Sequence, residues 1–183
     1  MASLTLITGG IKSGKSSFAL DLARERCRGS KCFIATAEPL DDEMKIKIVR
    51  HRQERGDDFR TVEEPLHLAK ALEAGQKTDG LILIDCLTLW MNNLLFRFEN
   101  DPVQIKQEIS GFAEALNRRT RDIMIVTNEI GLGVVPENSL ARRFMDQLGI
   151  LNRRAAFLAD EVYFMVSGIP NRIKGATVGK LDS

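Results

Sequence analysis

A glycine-rich segment near the amino terminus carries the side chains best suited to chemistry on phosphate. The segment satisfies the pattern G-x-x-x-x-G-K-[ST] with the residues Gly9, Gly10, Ile11, Lys12, Ser13, Gly14, Lys15 and Ser16. Its glycines let several backbone N–H groups point at one phosphate, and the positive end of a helix beginning near Lys15 adds to the attraction. Lys15 is predicted to reach the β and γ phosphates of ATP or GTP, and the Ser16 hydroxyl to bind Mg²⁺.

A second magnesium ligand is predicted at the end of another apolar run. Leu81-Ile82-Leu83-Ile84 leads directly into Asp85, which is the placement typical of a Walker B carboxylate. A carboxylate buried at the end of an apolar strand is costly unless a cation faces it, which favours magnesium over a simple turn residue.

One of the two histidines shares the apolar face of a predicted helix. Acidic residues Asp41, Asp42 and Glu43 open this helix, and Arg50, Arg52 and Arg55 follow toward its end, as the helix dipole favours. Met44, Ile48 and His51 are spaced to lie on one stripe. His51 can be a structural core residue, or a nucleophile that carries a phosphoryl or nucleotidyl group, and spacing alone leaves both open. The other histidine, His67, is predicted to lie on a helix surface.

The elements that must position these residues are strands covered on both faces by helices. Leu4 to Thr8 predicts a strand and Lys15 to Cys27 a helix, and further continuous apolar runs predict strands over Lys31 to Ala37, Leu81 to Cys86, Ile123 to Thr127 and Glu161 to Ser167. This pattern predicts an α/β fold with a mostly parallel sheet flanked by helices. The tail after Ile169 is expected to be the least ordered part.

The length of 183 residues and the hydrophobic content of 44% predict one domain spanning residues 1–183. The 26 basic and 25 acidic side chains nearly cancel, which argues against binding to nucleic acid or an anionic membrane. No apolar run is long enough to span a membrane, and the three cysteines form no CxxC pair. These features predict a cytoplasmic protein without a disulfide framework or a structural zinc site.

Several further short motifs are spread over nearly the whole chain. They are Thr8-Gly9-Gly10, Ile34-Ala35-Thr36-Ala37, Asp41-Asp42-Glu43-Met44, His51-Arg52, Thr61-Val62-Glu63, Ile84-Asp85-Cys86-Leu87-Thr88, Asn92-Asn93-Leu94, Thr127-Asn128-Glu129-Ile130-Gly131 and Val135-Pro136-Glu137-Asn138. With them the chain resembles the bifunctional adenosylcobinamide kinase and adenosylcobinamide-phosphate guanylyltransferase family of cobalamin biosynthesis. Some members have a second histidine before the nucleophile, where this chain has Arg50.

This resemblance implies two reactions at one P-loop. The first phosphorylates the aminopropanol hydroxyl of adenosylcobinamide with ATP or GTP, and the second transfers GMP from GTP to that phosphate, giving adenosylcobinamide-GDP and pyrophosphate. His51 would be the residue guanylylated in the second reaction. The resemblance also implies a RecA-like sheet, a homotrimer, and contacts to the guanine nucleotide from Ala35, Thr36, Ala37, Arg52, Gln53, Glu54, Arg55, Glu63 and Asp85.

Two other classes of protein share the P-loop. A regulatory GTPase needs a guanine-reading N-K-x-D segment, which the chain lacks. A plain kinase of another small molecule, with a structural His51, is not excluded by the residues alone. The corrinoid needs a broad apolar surface, for which residues 131–138 and 90–98 are candidates, though either could be core or subunit interface.

Overall fold

The computed structural model describes residues 2–38, 42, 46, 49, 52, 53, 55–99 and 101–175. Seven strands are present in this part of the chain: β1 (Leu4–Gly9), β2 (Lys31–Ala35), β3 (Phe59–Glu63), β4 (Leu81–Asp85), β5 (Asp122–Val126), β6 (Glu161–Val166) and β7 (Ile169–Lys174). The described helices are α1 (Lys15–Arg26), α2 (Leu68–Thr78), α3 (Leu87–Arg97), α4 (Pro102–Asn117) and α5 (Ser139–Leu158). A short 3-10 turn, Gly56–Asp58, precedes β3.

The strands form one sheet in the order β3-β2-β4-β5-β1-β6-β7. All neighbouring strands run parallel except β6 and β7, which are antiparallel. One strand, β5, separates the P-loop strand β1 from β4, which ends at Asp85. The carboxyl ends of the parallel strands therefore bring Gly9 and Asp85 to the same edge of the sheet.

Alternate residues of the buried strands face two separate cores. On one face, Leu6, Ile84 and Ile125 pack with residues of α2, α3, α4 and α5. On the other, Ile7, Leu83 and other strand residues pack with α1. The predicted α/β class with a mostly parallel, helix-covered sheet is confirmed. Among the described residues, every helix is too short or too polar to cross a bilayer.

Two strands were not predicted from the sequence. β3 at one edge of the sheet has a mostly exposed, polar sequence, and all six residues of β7 at the other edge are exposed. The expectation that the tail after Ile169 would be the least ordered part is wrong through Lys174, because the chain turns back there and pairs with β6. Neither edge strand carries the apolar pattern that marks a strand covered on both faces.

Candidate nucleotide site

The P-loop conformation depends on glycines at both ends. Gly9 has a φ of 152°, and a Cβ on it would lie 2.5 Å from the carbonyl oxygen of Met165. Gly14 has a φ of 87°, and a Cβ there would lie 3.3 Å from the Cα of Gly168. Any side chain at Gly9 would displace the backbone of β6, so this strand and the loop can pack only with glycine at that position.

The turn between β6 and β7 supports the P-loop from the side. The amide of Gly168 donates a hydrogen bond to the carbonyl oxygen of Ser13 over 3.1 Å. Ser167 and Gly168 both have positive φ, as a tight hairpin turn requires. This support was not predicted from the sequence, although the Ser167-Gly168 pair after an apolar run is a signal that could have indicated the turn.

Lys15 is the most buried charged side chain of the loop. It is 7% exposed, and its Nζ donates hydrogen bonds to the Gly10 carbonyl and to Ser13 Oγ. Burial lowers the pKa of Lys15, and the nearby negative charge of Asp85 opposes that change. An anionic phosphate entering this loop would add a second favourable charge and stabilise the ammonium form.

Ser16 and Asp85 are suitable ligands for the predicted magnesium ion. Ser16 is the second residue of α1 and Asp85 is the last of β4, and both are partly exposed at the same edge of the sheet. A hydroxyl and a carboxylate oxygen are hard ligands of the kind that Mg²⁺ prefers, with phosphates and water completing its shell. The charge interaction between Asp85 and Lys15 also places this carboxylate near the phosphate-binding loop.

The ends of β2, β3 and β4 bring several predicted nucleotide contacts together. Ala35 is in register with Glu63 on one side and with Asp85 on the other. Arg52 forms an ion pair with Glu63, and both side chains are about half exposed. A charged group of mixed sign therefore lies at the carboxyl ends of β2, β3 and β4, on the same edge of the sheet as the P-loop.

Arg55 is buried in the same group. It is 4% exposed, and its guanidinium lies 4.0 Å from the ring centroid of Phe33. Burial and the neighbouring Arg52 lower the pKa of Arg55, while Asp85 and Glu63 raise it. Among the described residues its Nε has no hydrogen-bond partner. A buried donor in this position is suited to an anionic or carbonyl group of a ligand.

Thr36 holds the strand ends together. It is completely buried, and its hydroxyl accepts a hydrogen bond from the Cys86 amide and donates one to the Cys86 carbonyl, each over 2.8 Å. Asn93 Nδ2 donates to the Thr36 carbonyl over 2.7 Å and to Pro65 over 3.1 Å. These bonds give Thr36 a positioning role, and its direct contact with a nucleotide stays a prediction.

The remaining predicted residues are mostly exposed or lie outside the described part of the chain. Gly10, Ile11, Lys12 and Gln53 are exposed, and Ala37 is partly buried beside Thr36. His51 and Glu54 lie outside the described residues, as does most of the predicted helix around them. His67 immediately precedes α2, and its Nδ1 lies 3.0 Å from Glu108 Oε1.

A glycine loop between a buried strand and a helix, with a lysine inside it and a carboxylate two strands away, defines a P-loop nucleotide-binding protein. Two solved structures share the fold. The flagellar accessory protein FlaH from Methanocaldococcus jannaschii matches with a TM-score of 0.54 at 17% identity, covering 94% of this chain and 78% of the other. An ATPase from a type III secretion system matches with a TM-score of 0.55 at 10% identity, covering 90% and 51%.

Sequence comparison then identifies the family. The model of the cobinamide kinase / cobinamide phosphate guanyltransferase family matches residues 5–173. The chain is 42% identical to the bifunctional adenosylcobalamin biosynthesis protein CobP of Pseudomonas aeruginosa, covering 93% of this chain and 96% of that one. It is 41% identical to CobU of Salmonella typhimurium, covering 93% and 99%. The chain belongs to this family, which confirms the resemblance and the predicted enzyme class.

Proposed function

We propose that this chain phosphorylates adenosylcobinamide with ATP or GTP and then transfers GMP from GTP to the product through His51. Family membership supports both activities. The observation that carries the residue assignment is that Asp85, at the same sheet edge as the P-loop, lies close enough to interact with both Lys15 and Arg55, and Arg55 in turn with Glu63. The two reactions would then share one phosphate site.

In the kinase reaction, the acceptor hydroxyl attacks the γ phosphorus of the nucleotide. An O–P bond forms, the bond to the β-phosphate oxygen breaks, and the hydroxyl proton leaves. The loop amides and Lys15 bind the β and γ phosphates and stabilise the charge that develops on the leaving diphosphate. Magnesium, held by Ser16 and Asp85, would supply further positive charge to the polyphosphate.

In the guanylyltransferase reaction, a ring nitrogen of His51 attacks the α phosphorus of GTP. A P–N bond forms and pyrophosphate leaves, with its charge stabilised at the P-loop. A phosphate oxygen of adenosylcobinamide phosphate then attacks the same phosphorus, breaks the P–N bond and frees His51. Arg52 and Arg55 would bind the transferred phosphate, and Glu63 and the end of β2 the nucleoside.

Three further assignments belong to the same proposal. Mg²⁺ accompanies the nucleotide, so removing divalent cations with a chelator should stop both reactions. The active form is a homotrimer. We place the protein in the cytoplasm because its nucleotide substrates are found there and its thiols Cys27, Cys32 and Cys86 are unpaired.

Labelling with GTP carrying ³²P at the α phosphate tests the central step. The wild-type protein is expected to take up one covalent label that survives alkali and is released by acid, because a phosphoramidate has those stabilities. His51→Ala should take up none. His67→Ala is the matched control and should be labelled normally, since His67, just before α2, contacts Glu108 of α4.

The kinase half is measured separately with ATP labelled at the γ phosphate. His51→Ala should still transfer that phosphate to adenosylcobinamide, because the histidine acts only on the α phosphorus. An unlabelled wild-type protein that still phosphorylates adenosylcobinamide would contradict the guanylyltransferase assignment and leave a plain kinase.

A further inference from the structure

A cleft of about 490 Å³ lies on the face of the sheet opposite α1. Its walls come from α5 and from strands β1, β6 and β7, and they are largely apolar, with Leu6, Ala156 and Val162 among them. This volume falls within the range of small-molecule sites. None of the predicted nucleotide contacts lines this cleft.

One end of the cleft adjoins the P-loop. Thr8, which lines it, directly precedes Gly9 in β1. Glu129 also lines it, and its backbone amide donates a hydrogen bond to the Gly9 carbonyl over 3.0 Å. A molecule in the cleft would therefore reach the first residue of the phosphate-binding loop.

Thr8 supplies an independent indication of a ligand. It is 7% exposed, and among the described residues its Oγ1 has no hydrogen-bond partner. A buried hydroxyl without a partner lowers stability, and native structures contain few of them. A ligand group that hydrogen-bonds to Thr8 would remove this cost only when it is bound.

We propose that this cleft binds the aminopropanol arm of the phosphate acceptor, with Thr8 hydrogen-bonded to the arm and Glu129 as the general base. The proposal rests on the kinase activity proposed above. A half-apolar arm ending in a hydroxyl matches the mostly apolar walls, with the Thr8 hydroxyl and the Glu129 carboxylate at the loop end. The other polar side chains of the lining are Asp146, Asn152 and Arg153. The corrinoid ring is larger than the cleft and would stay outside, against the exposed side chains of Ile150 and Ile173 at its border.

The phosphoryl transfer needs only the acceptor hydroxyl, the Glu129 carboxylate and the nucleotide. The acceptor oxygen forms a bond to the γ phosphorus, and its proton passes to a carboxylate oxygen of Glu129. The bond between the γ phosphorus and the β-phosphate oxygen breaks, and the nucleoside diphosphate leaves with that electron pair. The carboxylic acid then returns its proton to water.

Gly149 allows the cleft to be filled without disturbing the helix. It lies in α5 and lines the cleft, and a Cβ built on it has no heavy atom within 4 Å. We expect Gly149→Phe to weaken binding of adenosylcobinamide at least tenfold, measured by titration calorimetry with a non-hydrolysable ATP analogue present. Leu140→Phe, at an exposed position of the same helix, is the control and should bind normally. Unchanged affinity in Gly149→Phe, or no binding by the wild-type protein, would overturn the proposal.

Thr8→Val keeps the shape of the side chain and removes the hydroxyl. The variant should have a higher Tm than the wild type without ligand, because an unpartnered polar group is gone, and should bind adenosylcobinamide about 3- to 10-fold more weakly. A higher Tm with unchanged affinity would mean that the hydroxyl has no ligand.

Glu129→Gln tests the base. Its kcat for phosphorylation should fall about 10²- to 10⁴-fold, while labelling of the enzyme by α-labelled GTP stays normal, since that step needs no acceptor. Glu114→Gln, on the exposed side of α4, is the control. Retained kcat in Glu129→Gln would refute the base assignment, whereas absent labelling in all variants would count only against the guanylyltransferase.

Discussion

At the scale of single residues, Lys15 shows how a binding group can cost stability. Its ammonium is buried in a loop where burial lowers the pKa below the ordinary value of 10.5, even with Asp85 nearby. The folded chain therefore releases this proton at a lower pH than the unfolded chain does. Over the range between the lowered pKa and 10.5, stability rises with pH because the unfolded state binds more protons.

Lys15→Met is accordingly expected to raise the free energy of unfolding of the nucleotide-free protein at neutral pH. The gain over wild type should shrink as the pH approaches 10.5, since wild-type Lys15 is then neutral in the folded state. The same variant should lose both reactions by about 10²-fold or more. Denaturant titrations at several pH values measure the first effect, with the exposed Lys12→Met as control. A Lys15→Met protein less stable than wild type at neutral pH would contradict this account.

At the scale of elements, one buried polar network joins the end of β5 to two helices. Thr127 Oγ1 donates to Asn152 Oδ1 of α5 over 2.8 Å, and Asn152 Nδ2 donates to the Asn128 carbonyl over 3.0 Å. The Asn128 amide donates to Thr88 Oγ1 of α3 over 2.8 Å. The residue after Asn128 is Glu129, so this network holds the backbone from which the Glu129 side chain extends.

Asn152→Ala should lower the free energy of unfolding by about 2 kcal/mol, because it leaves buried partners unsatisfied. It should also lower kcat for phosphorylation by about 10- to 100-fold through misplacement of the following loop. A double-mutant cycle with Thr127→Val should show coupling between the two residues.

Asp101→Ala is the matched control for this loss of stability. Asp101 accepts a hydrogen bond from the Gln104 amide at the start of α4, so its loss should cost about 1 kcal/mol without lowering kcat. Equal effects of Asn152→Ala and Asp101→Ala on kcat would argue against a positioning role for the network.

At the scale of the whole molecule, β7 is the edge strand of the sheet formed by the described residues, and this edge is partly apolar. Ile169 on β7 and Phe157 near the end of α5 have large exposed side chains. Lys174 Nζ donates to the carbonyl of Phe157, so the two elements adjoin there. Exposed apolar residues beside an edge strand are typical of a surface that another chain covers.

The proposed homotrimer should use this surface. Sedimentation equilibrium of the wild type is expected to give about three times the 20.5 kDa chain mass. Phe157→Lys should reduce that mass, because a charge would be buried without a partner. Val103→Lys, at an exposed position of α4, is the control and should leave the mass unchanged. A monomeric wild type would refute the assembly, and a trimeric Phe157→Lys would place the interface elsewhere.

The sequence by itself predicted the buried strands and the position of the P-loop between β1 and α1. The P-loop and Asp85 appear where local patterns predicted them, because a strand covered on both faces needs a continuous apolar run and phosphate binding needs glycines. Family membership also followed from motifs spread along nearly the whole chain.

Only the tertiary structure decided which strand ends meet and which groups they enclose. The edge strands β3 and β7 have no apolar run, so their pairing depends on neighbours distant in the chain. The contact of Gly168 with Ser13, the Thr8 hydroxyl that has no partner within the described part of the chain, and the position of Glu129 beside Gly9 arise in the same way. Hydrogen bonds and burial between distant segments are set by strand order and helix packing, which local spacing does not encode.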